Sequence, residues 1–420
     1  MNLLVLSWNY IKSKPLNTVL NVLLMSLGIA IILVLLILSS QLEENLGKNK
    51  RGIDLVVGAK GSPLQLILAN VYHIDFPTGN IKLSEAKGLA RNRLISNVIP
   101  LALGDNYRGY RIVGSNHEYV NLYEGEIAEG ALWRYNLEVT LGATVAQRLG
   151  LKVGDEFFGA HGMSDSGLDH DEASYQVAGI LKPSGSALDN LILTNIESVW
   201  LVHDHEEEEE GEEEGHDHDQ GHEKVEGSAY QKGLPVGDDD AEITSMLIRF
   251  RSAMGAVQLP RMINSNTNMQ AASPAFETQR LFSLLGIGVN MLRSFAYIII
   301  VIAGLSIFIS LYNALKDRKY DLAIMRSLGA SQLKLFTHVI LEGVIITILG
   351  AILGFVFGHG LVEILAGYYE KSDAIGITGW VIVNQEGLVL LLSVAVGILA
   401  ALLPAINAYR TDISKVLAQD

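Results

Sequence analysis

Four long apolar stretches divide the chain unevenly, one over residues 16–40 and three crowded at the far end, over about 295–315, 336–361 and 387–403. As a helix, each is long enough to cross a hydrocarbon core about 30 Å thick. Between the first and the second lie roughly 250 residues of polar patterning, a whole domain by the usual size range. That middle portion alternates strand and helix signals. Residues 53–57, 110–113, 174–181, 191–194 and 245–250 have β-type content or alternation, while 144–149 and 195–202 read as short helices. The pattern predicts a membrane protein with four transmembrane α-helices and a large α+β domain inserted between the first and second.

The flanks of the apolar runs carry their own signals. Leu3, Leu4, Leu6, Trp8, Tyr10 and Ile11, followed by Lys12 and Lys14, predict a short amphipathic helix on the membrane surface. Pro15 then opens the first span. That span is too long for a signal-peptide core and lacks a small-residue cleavage site before Gln41, so it is read as a retained anchor. Before the second span, Ser273 is a plausible N-cap, Pro274 the first helical residue and Glu277 an acid in the first turn. Apolar residues at helical spacing from Leu281 to Phe295 extend this into the membrane. One continuous helix is expected to join the large domain to the basic link beyond the second span.

Basic residues set the orientation. Lys12 and Lys14 precede the first span; Lys316, Arg318, Lys319, Arg326 and Lys334 fill the link between the second and third; Arg410 and Lys415 follow the fourth. With four spans all three groups face one side, so both termini are expected in the cytoplasm and the large domain is expected to be extracytoplasmic. The expected layout is an amphipathic cytoplasmic helix at 1–15, a transmembrane helix at 16–40 and the extracytoplasmic domain at 41–285. A stalk and second transmembrane helix follow at 286–315, then a cytoplasmic segment at 316–335 and a third transmembrane helix at 336–361. An outer loop at 362–386, a fourth transmembrane helix at 387–409 and a cytoplasmic tail at 410–420 complete it.

Composition sharpens this picture in two places. The chain has no cysteine, which rules out disulfides, thiolate metal sites and cysteine nucleophiles. Its net charge is -15, yet residues 203–242 alone hold 17 acids against two lysines, and the remaining charges cancel. That insertion also contains His203, His205, His216, His218 and His222 among the chain's 11 histidines. Imidazole with carboxylate suits Zn or another transition metal, and His218 with His222 would share a helical face. The opposing reading is a solvated low-complexity loop, and the residues leave weak, labile metal binding and that reading both open.

The membrane segments hold three further candidates. Gly350, Gly354 and Gly358 recur every fourth residue, a small face that lets helices approach closely. Glu342 lies inside the third span, a costly position for a carboxylate, with His338 one turn earlier on the same face. A structural or coupling role is preferred to ion transport, because the spans are otherwise nearly free of ionisable groups. In the basic link, Leu322, Ile324, Met325 and Leu328 offer an apolar side, with Lys319, Asp321 and Arg326 around it, and Gly329 ends the helix. Such a helix suits a groove on a partner, and on the residues alone a plain surface loop suits as well.

Several segments resemble the MacB-like and FtsX-like permeases of ABC transporters, a group that includes the lipoprotein-releasing permeases. Residues 139–155, with Leu149-Gly150 and Gly154-Asp155, resemble the outer-domain signature. Tyr175 to Leu181, followed by Leu188-Asp189-Asn190, is similar to its next strand and loop. Residues 316–332, containing Asp321-Leu-Ala-Ile-Met-Arg-Ser-Leu-Gly-Ala-Ser331, resemble the cytoplasmic coupling segment, and Val339 to Glu342 the start of the following span. The acidic insertion departs from the pattern.

The resemblance implies a bacterial inner-membrane permease, paired with itself or a homologue, with two copies of a separate ATPase docked through Lys316, Arg318, Lys319, Asp321, Leu322, Ile324, Met325, Arg326, Leu328 and Gly329. ATP and Mg would then act only through that partner; no phosphate-binding loop, His-Glu-x-x-His, nucleophile elbow or dinucleotide fingerprint occurs in this chain. No nucleic acid partner is expected. The expected work is export or extraction of a lipoprotein, peptide or drug at the outer face, with an outer adaptor protein as a further candidate partner. The rivals are a non-transporting regulator of an extracytoplasmic enzyme and a metal-linked transporter or sensor using the histidine loop.

Overall fold

The computed structural model describes residues 3–50, 52–160, 169–209, 233–238, 240–368 and 377–410. The chain divides into two compact units, one holding Met1–Leu42, Leu284–Ser372 and Ile377–Asp420, the other Glu43–Ser283. Helices α1 (Leu3–Ser13) and α2 (Pro15–Asn49) open the chain.

The inserted unit begins with β1 (Leu55–Ala59), α3 (Pro63–Asn70), β2 (Ile81–Lys82), α4 (Leu83–Ala90), β3 (Ile95–Tyr107), β4 (Tyr110–Gly114) and α5 (His117–Leu122). It continues with β5 (Ile127–Gly130), β6 (Glu138–Leu141), α6 (Ala143–Leu149), β7 (Glu156–Ala160), β8 (Asp169–Leu181), β9 (Leu191–Thr194) and α7 (Ile196–Glu209). Then come β10 (Glu242–Ile243), β11 (Ser245–Phe250), α8 (Ala253–Asn266) and β12 (Met269–Ala272). Local chemistry fixes several of these ends. The Ser62 hydroxyl accepts from Gln65 N–H ahead of Pro63, the first residue of α3. Gly150 closes α6 at φ 69°, the left-handed conformation that glycine adopts without strain.

Ten strands form one mixed sheet in the order β12-β1-β11-β3-β4-β9-β6-β8-β5, with β7 pairing both β3 and β8. Strand β3 is shared. Its first half pairs β11 antiparallel and its second half pairs β4. The pairings β3–β4, β4–β9, β9–β6, β6–β8 and β8–β7 return to β3 through Asn106 and Ala160, so six strands form a closed ring. Closure leaves those six strands no free edge among themselves. Two cores follow. Leu55, Val57, Val98, Met246 and Ile248 of the open half pack with Leu259 and Ile263 of α8. Ile112, Val139, Leu141, Phe157, Tyr175, Val177 and Ile192 of the ring strands pack with Val145 of α6. The expected α+β domain is present between the first and second apolar helices.

The other unit is completed by α9 (Pro274–Asp317), α10 (Lys319–Ser327), α11 (Gln332–Tyr368) and α12 (Glu386–Tyr409). Helices α2, α9, α11 and α12 are long and apolar enough to cross a membrane. In lipid no hydrophobic effect drives helices together, so close approach through small residues matters more. A Cβ built on Gly350 would lie 2.7 Å from Met25 Cβ, on Gly354 2.8 Å from Ile29 Cβ, and on Gly358 3.0 Å from Leu33 Cβ. The glycine row is thus the seam where α11 meets α2 within one chain. Gly343 meets Ala401 of α12, and Gly28 meets Ile300 of α9, in the same way.

At the end of α11 farther along the chain, polar side chains fasten the segment before α12. The Gln41 amide makes two hydrogen bonds with the Thr378 backbone. Glu363 accepts from Gly379 N–H and the Thr378 hydroxyl, and His359 bridges the Gly379 carbonyl and the Glu386 carboxylate.

Candidate coupling site

Helix α10 has nine residues and two faces. Leu322 and Ala323 are buried, and Leu322 with Met325 packs in one cluster with Leu335 and Val339 of α11 and Ala405 and Ala408 of α12. The opposite side leaves Tyr320, Ile324 and Leu328 exposed at 48%, 38% and 83%. These three stand four residues apart, so they form one ridge along the helix. The apolar side expected from the sequence therefore splits: Leu322 and Met325 face inward, Ile324 and Leu328 outward. Tyr320 joins the outward ridge and was not among the candidates, because its hydroxyl makes it read as polar. Lys319 and Asp321 are exposed beside it, as is Lys316 before it.

The helix stops firmly. Ala330 N–H bonds to the Met325 carbonyl and Gly329 N–H to the Arg326 carbonyl, with Gly329 at φ 97°. This is the Schellman arrangement, and glycine takes the left-handed position without a Cβ penalty.

Arg318 anchors the start of α10. Its Nη1 lies 3.0 Å from Glu342 Oε1, with both side chains largely buried. Its guanidinium sits 4.0 Å from the centre of the Tyr10 ring and donates to the Tyr10 carbonyl. His338 Nε2 is 3.6 Å from the same carboxylate oxygen, and His338 Nδ1 is 2.7 Å from the buried Ser7 hydroxyl. Lys14 pairs with Asp317 on the surface. The carboxylate singled out inside the third span is therefore paired, and its partner is a member of the basic link. The same knot ties in α1: Ser7, Tyr10 and Ser13 all touch it. Sequence reasoning paired Glu342 with His338 alone, because helical spacing is visible in a sequence and a partner 24 residues away is not.

Among the remaining candidates, His216, His218 and His222 lie outside the described residues. His203 and His205 fall on α7, where only the backbone is described. Among the described residues no cluster of three metal-ligating side chains occurs.

A bundle of four apolar helices with a large inserted mixed-sheet domain and a short exposed helix between its second and third members is the frame of a multi-pass membrane protein. The FtsX-like permease C-terminal model matches residues 293–413, and the MacB-like periplasmic core domain model matches 18–218. The chain thus belongs with the MacB-like and FtsX-like ABC transporter permeases. It is 23% identical over 159 residues to the uncharacterized ABC transporter permease YknZ of Bacillus subtilis strain 168, a match covering 36% of this chain and 38% of that protein. Two solved structures are similar. The periplasmic region of MacB from Actinobacillus actinomycetemcomitans has 13% identity and a TM-score of 0.34, over 57% of this chain and 97% of that one. The extracellular domain of the noncanonic ABC-type transporter YknZ from Gram-positive bacteria has 12% identity and a TM-score of 0.30, over 53% and 99%. At those scores the likeness adds nothing to the fold described above.

Proposed function

We propose that this permease docks a separate cytoplasmic ATPase on the outward ridge of α10 and converts its ATP cycle into movement of the inserted domain. The observation that carries the reading is the exposed triplet Tyr320, Ile324 and Leu328 on a helix whose other face is sewn into the bundle. An apolar ridge on a firmly held short helix suits a groove on a partner. Its rigid backing by Leu322, Met325 and the Arg318–Glu342 pair would pass a push on to α9 and α11 rather than absorb it. Basic residues at both termini and in the link support cytoplasmic termini, with the inserted domain on the opposite side of a bacterial inner membrane. A permease dimer with two ATPase copies completes the assembly, and ATP and Mg act only through the partner. The cargo class is a lipoprotein, peptide or drug handled at the outer face.

The test is co-purification of the chain with a co-expressed cytoplasmic ABC ATPase from the same genome. The double variant Ile324→Glu with Leu328→Asp alters only exposed positions, so membrane insertion and thermal stability should stay unchanged. ATPase retention should fall at least tenfold, which corresponds to about 1.4 kcal/mol. Full retention by a correctly inserted variant would refute the docking ridge.

A further inference from the structure

Within the inserted unit, tyrosine hydroxyls finish a helix that has run out of partners. The last four carbonyls of any α-helix lack an intrahelical donor, and in α2 these belong to Leu46, Gly47, Lys48 and Asn49. The Tyr72 hydroxyl lies 3.2 Å from the Leu46 carbonyl, and the Tyr123 hydroxyl 3.1 Å from the Asn49 carbonyl. The Asn49 side chain in turn accepts from Ala187 N–H at 2.8 Å. Tyr72 does more than cap. It is also 2.8 Å from the Thr278 hydroxyl in the first turns of α9, and Thr278 itself reaches the Pro274 carbonyl at 2.6 Å. Leu46, Tyr72 and Thr278 are all buried.

Two hydroxyl protons thus face three contacts. Each hydroxyl can donate once. If Thr278 donates to Pro274, Tyr72 can give its proton to Thr278, and its contact with Leu46 is left without a hydrogen. If Thr278 instead donates to Tyr72, Tyr72 gives its proton to Leu46, and the α2 carbonyl is capped. Both arrangements keep two hydrogen bonds, so the exchange costs little. All three contacts, at 2.6, 2.8 and 3.2 Å, lie within hydrogen-bonding distance, so the same heavy-atom positions serve either arrangement.

We propose that Tyr72 is a positioning residue whose hydroxyl holds the domain-side ends of α2 and α9 in one register, with the Thr278 proton setting whether that tie engages α2. The Tyr123 hydroxyl caps the same helix and also hydrogen-bonds with Tyr119, with no hydrogen bond to α9 among the described residues, so it serves as an internal control. A tie between these two ends makes the domain receive one input from two membrane helices. That consequence rests on the function proposed above, whereas the tie itself does not.

The experiment uses the full chain, whose lack of cysteine makes it a ready background for labelling. Spin labels go on Lys48→Cys and Gln279→Cys, both exposed, and the protein is reconstituted in lipid nanodiscs for pulsed electron–electron distance measurement. Tyr72→Phe and Thr278→Val should each broaden the distribution, and the double variant should broaden it no further, because one contact is lost in all three. Thr278→Ser, which keeps the hydroxyl, should restore the narrow distribution. Tyr123→Phe should lower thermal stability and leave the distance unchanged. An unaltered distribution in folded Tyr72→Phe or Thr278→Val would overturn the proposal. Equal broadening in Tyr123→Phe would overturn it too, by reducing Tyr72 to one cap among several. Neither outcome bears on ATPase docking at α10.

Discussion

His73 sits just after α3 with φ at 55°, buried, its Nε2 2.7 Å from the Tyr119 hydroxyl. Burial, with the Arg111 guanidinium adding to it, pushes its pKa down to about 3. The native state therefore keeps the imidazole neutral, while the unfolded chain takes up a proton near pH 6.5. Its contribution to stability is complete above pH 6.5 and is lost as pH falls from there toward 3, because the unfolded state then binds a proton that the native state refuses. The expected loss is about 1.4 kcal/mol per pH unit below 6.5. Thermal unfolding of the purified chain between pH 7 and pH 4.5 reads it. His73→Asn, a residue that tolerates the left-handed conformation, should flatten the dependence. An equally steep curve in that variant would assign the acid sensitivity elsewhere. Nothing in the sequence marks this histidine: no periodicity or motif surrounds it, and its environment is assembled from β4 and α5, far along the chain.

Elements with a regular period were legible and elements that break their own period were not. Helix α1, the first span, and the strands at 110–113, 174–181, 191–194 and 245–250 all appear near their expected places. Strand β3 was missed. It contains Pro100 and the polar Asn97, Asp105 and Asn106, and it serves two half-sheets in turn, so no single alternation runs through it. Helix α8 was missed because Pro260 lies inside it. Helix α10 was legible as a helix, yet its two-faced burial depends on α11 and α12 arriving beside it. The Arg318–Glu342 pair belongs to this scale, since it joins the start of α10 to α11. Removing one partner of a buried pair leaves the other uncompensated, typically at about 3–5 kcal/mol. Arg318→Ala should therefore lower the melting temperature of the detergent-purified chain sharply. The double change Arg318→Met with Glu342→Met should recover most of it, because no lone charge remains. Equal destabilisation in both would show that the guanidinium acts through its packing on Tyr10 rather than through charge.

For the whole molecule, the charge is as unevenly placed as the apolar residues. The insertion at 203–242 accounts for the full net charge of -15, and the other acids and bases balance. A long-range electrostatic penalty from that segment is screened within a Debye length of about 8 Å at physiological salt, so it need not act on the two cores. Residues 210–224 contain no apolar side chain at all, only acids, glycines, histidines, one glutamine and one lysine. A segment of that composition has nothing to offer a hydrophobic core, and the core positions named above all lie outside it. Replacing 210–224 by a short Gly/Ser linker should leave stability within about 0.5 kcal/mol of the parent, as for a surface change away from buried contacts. The same chain should leave an anion exchanger at distinctly lower salt. A drop in melting temperature of several degrees would mean that the acidic segment is held against one of the cores, and that the balanced remainder is not a self-sufficient fold.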